Sequence, residues 1–113
     1  MSLGGREQAA ICGALLAARL YSIPVIIDGF IASSAIAPLV SVNNIYDHVI
    51  FAHQSAEAGH ERLMNKLGKV PMLNLGMRLG EGSGAALALS IIRASLACHN
   101  GMATFAEAGL AVK

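Results

Sequence analysis

Charge is what this chain has least of. Lys, Arg, Asp and Glu together make up 13% of its 113 residues, where an ordinary soluble domain carries about a quarter. Hydrophobic residues reach 55%. So few charges cannot coat a free-standing surface, which implies a large face buried against a second copy of the chain or a further part of its own parent protein. The net charge of +1 leaves no electrostatic footprint for nucleic acid, and aromatics at 4% with no Trp leave no base-stacking platform. Cysteine is equally sparse: Cys12 and Cys98 lie far apart without CxxC or zinc spacing. With no recognisable secretory signal, that fits a reduced, cytoplasmic setting. Long apolar runs are missing too. The stretch from Leu20 to Tyr46 has only Asp28 as a charge, but Pro24, Pro38, Asp28-Gly29 and Ser33-Ser34 interrupt it. It falls short of the roughly 20 unbroken residues of a membrane span, and none is expected.

Several chemistries are excluded by missing motifs. The chain has no HExxH, no GxSxG elbow and no P-loop Lys-Ser/Thr pair. His48, His53 and His60 with Asp47, Glu57 and Glu61 could be drawn as a metal cluster, but their spacing matches no metal-binding pattern. No metal and no cofactor are expected.

What is present reads as alternating helix and strand. Ala10, Cys12, Leu15, Leu16 and Leu20 recur at near-helical spacing after Gly5-Arg6-Glu7. Pro24-Val25-Ile26-Ile27, closed by Asp28-Gly29, suits a strand buried on both faces of a parallel sheet. A helix from Phe30 towards Leu39 follows, then a turn at Asn43-Asn44 and a second buried strand, Val49-Ile50-Phe51-Ala52. The segment Glu61 to Leu67 continues a helix ending at Gly68, Leu73-Asn74-Leu75 is too short to assign, a long helix runs from about Ser83 to His99, and a short helical tail spans Phe105 to Leu110. This order predicts one α/β segment over residues 4–113, a Rossmann-like parallel sheet flanked by helices, with Met1-Ser2-Leu3 read as an expression leader. Ligands of such sheets sit beyond the carboxyl ends of the strands, which selects Asp28-Gly29 and His53 to Glu57.

Two segments can carry chemistry. In Leu79-Gly80-Glu81-Gly82-Ser83-Gly84-Ala85 the glycines open unusual backbone conformations, and a helix starting near Ser83 would offer its amides to a phosphate or carboxylate. The plainer alternative is a connection with Ser83 as N-cap. In the second segment, His53, Ser55 and Glu57 either converge on an anion or merely start a helix, with Ser55 as cap and His60 on the solvated face. Asp28 is either a ligand contact or a loop-fixing acceptor. Glu81 is the candidate base: a helix N-terminus favours its charged form, burial the neutral one, and burial has to win. A carboxylate in a dry pocket could then take the proton of a ring N–H as that ring attacks.

Gly4-Gly5-Arg6-Glu7, Pro24 to Ile31, His53-Gln54-Ser55-Ala56-Glu57-Ala58-Gly59-His60, Leu75 to Leu89 and Met102-Ala103-Thr104-Phe105 together resemble one family, in order and with matching gaps. It is the nicotinate-nucleotide:dimethylbenzimidazole phosphoribosyltransferase family of cobalamin lower-ligand assembly. The resemblance implies a Rossmann-type homodimer that moves phosphoribose from nicotinate mononucleotide to dimethylbenzimidazole and releases nicotinate. It implies Glu81 as general base, and phosphate and ribose contacts from His53, Ser55, Ala56 and Glu57 and from Gly76, Met77, Arg78, Leu79, Gly80 and Gly82. Gln54 stands where the family commonly has Arg, and Ala58 where it commonly has Pro; loss of the Arg would weaken anion binding. The resemblance reaches only the C-terminal third of the family enzymes, so the chain is expected to be inactive alone and to self-associate. The alternative is a non-catalytic α/β module that binds a nucleotide or phosphate or serves assembly.

Overall fold

A computed structural model describes residues 5–110 of the chain, so the leader read at Met1 to Leu3 lies outside the described residues. Helix α1 (Arg6–Leu20) leads into strand β1 (Val25–Ile27), helix α2 (Phe30–Ile36) with a 3-10 turn (Ala37–Ser41), strand β2 (Val49–Phe51), helix α3 (Ala58–Leu67) and helix α4 (Ser83–Gly101). The strands pair in parallel, Val25 with Val49 through Ile27 with Phe51. Beyond β2, His53 bridges Leu73 in parallel, and the Met72 and Leu73 amides donate to Phe51 and Ala52 carbonyls at 2.8 and 3.0 Å. The segment too short to assign from sequence thus begins a third line of the sheet. The α/β class and parallel order expected from the sequence are present.

Local chemistry explains where the elements stop. Helix α3 closes at Gly68, φ 63°, with the Gly68 amide on the Asn65 carbonyl and the Lys69 amide on that of Met64, a Schellman pairing. Helix α1 ends in the same pairing around Ser22, a non-glycine at φ 55°. The helix expected from Phe30 to Leu39 is α-helical only to Ile36, because Pro38 has no N–H for the Ser34 carbonyl and the chain tightens into 3-10 geometry. The helical tail expected at Phe105 to Leu110 is a single turn. Thr104 and Glu107 cap one another reciprocally there, and Gly109 at φ 73° ends it before a second turn forms.

The core joins Leu15 of α1, Ile27 of β1, Ile36 of α2, Phe51 of β2 and Met64 of α3 with Ile45 and Tyr46 from the connecting loop. Tyr46 donates its hydroxyl to the Ile36 carbonyl at 2.7 Å, and burial, then Cys12, push its phenol above its usual pKa. The strands are not buried on both faces as the sequence suggested: Val25, Ile26, Val49 and Ile50 are only half-buried. Helix α4 explains part of this. It meets β1 near its own start, buries only Gly84 and Ala88, and leaves Leu87, Ile91 and Leu96 at 45%, 43% and 55% exposure. The radius of gyration is accordingly 17.3 Å, against about 13 Å for a compact chain of this length.

Candidate functional site

The parallel ladder delivers two chain segments to one end of the sheet. Continuing the register of Ile27 with Phe51 by two residues sets Gly29 beside His53, a close approach in which a Cβ would lie 3.0 Å from His53 Nε2 and press on the ring. The start of α4 closes on the same ring: a Cβ on Gly84 would overlap His53 Cδ2 outright. The imidazole is therefore held between two glycine backbones and is 2% exposed, with its Nδ1 unpartnered. Packing against His53, rather than opening the amides to a ligand, is what the third glycine of the Gly-rich loop does.

Asp28 completes this junction. Its Oδ1 accepts the Ala85 amide at 2.8 Å and lies 3.9 Å from His53 Nε2. A carboxylate from the end of β1 thus caps the first turn of α4 across 57 residues of sequence. This is the loop-fixing fate of Asp28, and it corrects the idea that the α4 amides form a free anion seat, because a carboxylate already occupies the positive end of that helix. Ser83 is not the N-cap. Gly82 holds that position at φ 77°, while the Ser83 hydroxyl and amide donate to the Gly80 carbonyl at 2.8 and 3.1 Å.

Behind the His53 to Glu57 turn lies a second imidazole. His60 is fully buried, not solvated. Its Nδ1 accepts the Ser55 amide at 2.8 Å and its Nε2 lies 3.1 Å from Ser33 Oγ. Burial first, then the neighbouring His53, lower its pKa below the ordinary value of 6.5, while Glu57 and Asp28 pull the other way. Ser55 does not cap α3, whose N-cap residue is Glu57; its Oγ instead accepts the Glu57 amide at 3.3 Å.

Above these residues opens a cleft of 260 Å³ that brings together His53, Ser55 and Glu57 with Arg78, Gly80 and Glu81. Asp28 and Gly29 form its floor with Phe30, Ile31, Ala32 and Ile11. Ala56, Gly76, Met77, Leu79 and Gly82 do not line it. Ala56 and Met77 instead tie the two segments together, the Ala56 amide donating to the Met77 carbonyl at 3.0 Å, and Gly76 and Gly82 supply backbone turns at φ 67° and 77°. Leu79 is 81% exposed. Glu81 sits at φ 53° on the rim and is exposed, so these residues do not supply the burial a strong base requires. Three carboxylates, Asp28, Glu57 and Glu81, line the cleft with one guanidinium, Arg78, so that the carboxylates suit hydroxyl and N–H donors and Arg78 alone offers a positive charge to a phosphate. Among the described residues no group of His, Cys, Asp or Glu could hold a metal ion, and no helix is long and apolar enough to cross a membrane.

The sequence assigns neither His60 nor Gly84 the role it has here. The alternating glycine spacing is the one signal at Gly84; nothing local marks His60 as buried, since its burial depends on Ser33 and Phe30 from another helix.

A family described as phosphoribosyltransferase matches residues 1–110. The nicotinate-nucleotide–dimethylbenzimidazole phosphoribosyltransferases of Brucella anthropi and Ruegeria sp. are 60% and 59% identical over 109 residues, covering 96% of this chain and 32% of each relative. The crystal structure of the enzyme of that name from Thermus thermophilus superposes with a TM-score of 0.85 at 36% identity, over 97% of this chain and 33% of that one. The chain therefore spans about a third of the length of these relatives. On a match that runs through every described residue, the chain belongs to the phosphoribosyltransferase family.

Proposed function

We propose that the chain forms the C-terminal part of an enzyme that transfers phosphoribose from nicotinate mononucleotide to dimethylbenzimidazole. The observation that carries this reading is the cleft in which Arg78, Gly80 and Glu81 meet His53, Ser55 and Glu57. Glu81 accepts the proton of one benzimidazole nitrogen while the other attacks the anomeric carbon. The bond from that carbon to nicotinate breaks, and its electron pair leaves with nicotinate. Ser55, Glu57 and the Gly80 backbone hold ribose hydroxyls, and Arg78 holds the phosphate. The further polypeptide that the relatives possess then covers Glu81 and supplies the missing burial.

The reading also includes self-association through the apolar side chains exposed on α4, in a cytoplasmic setting. Alone, the chain is expected to leave nicotinate mononucleotide and dimethylbenzimidazole unreacted, with no ribazole phosphate seen by chromatography. Grafted in place of the matching third of the Brucella anthropi relative, it should restore turnover. Glu81→Gln in the graft should bind the nucleotide and turn over about 10²- to 10⁴-fold more slowly, the range expected for loss of a general base. Unchanged turnover would remove Glu81 from that role.

A further inference from the structure

The hydrogen bonds around His60 fix where its proton resides. The Ser55 amide can only donate, so His60 Nδ1, 2.8 Å away, must present a lone pair. A neutral imidazole then carries its proton on Nε2, which donates to Ser33 Oγ at 3.1 Å. A second proton would have to enter on Nδ1, setting one N–H against another. We propose that His60 is a positioning residue whose Nε2–H tautomer latches the backbone of the His53 to Glu57 turn at Ser55, and that a proton on Nδ1 opens the latch.

The surroundings give the ring little room to escape. Phe30 packs at 5.8 Å between ring centroids and His53 at 6.5 Å, and a Cβ on Gly59 would come within 2.7 Å of Phe30. The groups that bear on the ring's charge come from three directions. His53 and Glu57 face it from the turn, Asp28 acts from the end of β1, and α2 presents only the neutral Phe30 and Ser33. Burial and His53 dominate, so the neutral ring is favoured near pH 7 and the latch is closed. Ser55 and Glu57 line the cleft, so releasing the Ser55 amide moves two cleft-lining residues without touching Glu81. That this turn binds ribose rests on the proposed function; the latch itself does not, and substrate-free measurements test it separately.

The experiment is nuclear magnetic resonance on the ¹⁵N-labelled chain between pH 8 and pH 5. At pH 7.5 the His60 ring should show an unprotonated Nδ1 and a protonated Nε2. On acidification the Ser55 amide shift should follow the ring with a common midpoint below 6.5, and the Ser55 amide should exchange about tenfold faster once its hydrogen bond is lost. His60→Asn sets a non-titrating oxygen near the Nδ1 position and should flatten the Ser55 profile. Ser33→Ala removes only the partner of Nε2 and should leave Ser55 coupled to the ring. A proton on Nδ1 at pH 7.5, a Ser55 amide indifferent to the ring's titration, or a wild-type pH profile in His60→Asn would overturn the proposal. The first two readouts need no variant, so a poorly folding substitution does not protect it. A separate titration with nicotinate mononucleotide tests the functional reading, and failure to bind with the latch intact would count against that reading alone.

Discussion

The two segments that meet at the cleft are built in opposite ways. The His53 to Glu57 turn is held from behind, with His53, Ser55 and His60 buried and the Ser55 amide bonded to an imidazole from the next helix. The Gly80 to Gly82 loop is exposed and runs through three consecutive left-handed residues, at φ 79°, 53° and 77°. It is held by the bonds of Ser83 to Gly80 and, in the first turn of α4, by Asp28 on Ala85. A turn fixed by tertiary packing keeps its shape as long as the core does. A loop fixed by glycine conformation and short-range bonds depends on its anchors and on whatever else comes to cover it.

Gly84 is where the contrast is sharpest. Gly84→Ala drives a methyl into the clamped His53 ring and should lower stability by about 3 kcal/mol, the upper end for overpacking, read from the denaturant midpoint. In Gly80→Ala the new methyl meets open space, and only the left-handed backbone resists; the expected loss is about 1 kcal/mol. Equal losses would mean that both glycines serve the loop conformation and that the His53 clamp is not real. Asp28→Asn keeps the side-chain shape but removes the charge from the start of α4, a change of about 1 kcal/mol. Amide exchange should rise in the first turn of α4 and stay unchanged in α3.

Acid should separate the two segments further. His60 has its folded-state pKa below the unfolded value of 6.5, so the unfolded chain binds more protons in that window. The stabilisation it carries is complete above pH 6.5 and is lost as the pH falls through 6.5 towards the lowered value. Denaturant midpoints should therefore drop between pH 7 and pH 5, and less so in His60→Asn. A midpoint that rises on acidification would reverse the assignment.

The sequence made the order of elements legible because its punctuation is local. Pro24 directly precedes β1, Asp28-Gly29 follows it and Gly68 closes α3, each through its own backbone chemistry, and the apolar runs at β1 and β2 are short enough for strands. The halves of the cleft were legible for the same reason, lying just after a strand and just before a helix. What was not legible depends on contacts between distant residues. Asp28 capping α4, Gly84 yielding space to His53 and Ser33 taking up the Nε2 side of His60 are each set by a partner that no spacing rule identifies. The apolar surface of α4 shows the converse. Its composition pointed to burial, yet composition cannot say against what, and most of that surface stands exposed in this chain.

The smallest expected effect lies at Glu81 itself. A non-glycine in the left-handed region costs about 1–2 kcal/mol, and Glu81 sits there at φ 53° between two glycines that do so freely. Glu81→Gly relieves that cost but returns about 0.5–1 kcal/mol through the added freedom of the unfolded chain. A net gain of about 0.5 kcal/mol in stability should remain. No residue of the His53 to Glu57 turn has a positive φ, so a glycine placed there gains nothing and loses packing. In the Brucella graft the same Glu81→Gly should abolish turnover. A more stable but inactive protein is the mark of strain retained for a functional side chain. If Glu81→Gly instead lowers stability, its carboxylate makes a contact that holds the loop, and the contrast between a packed turn and a loop fixed by its own backbone fails.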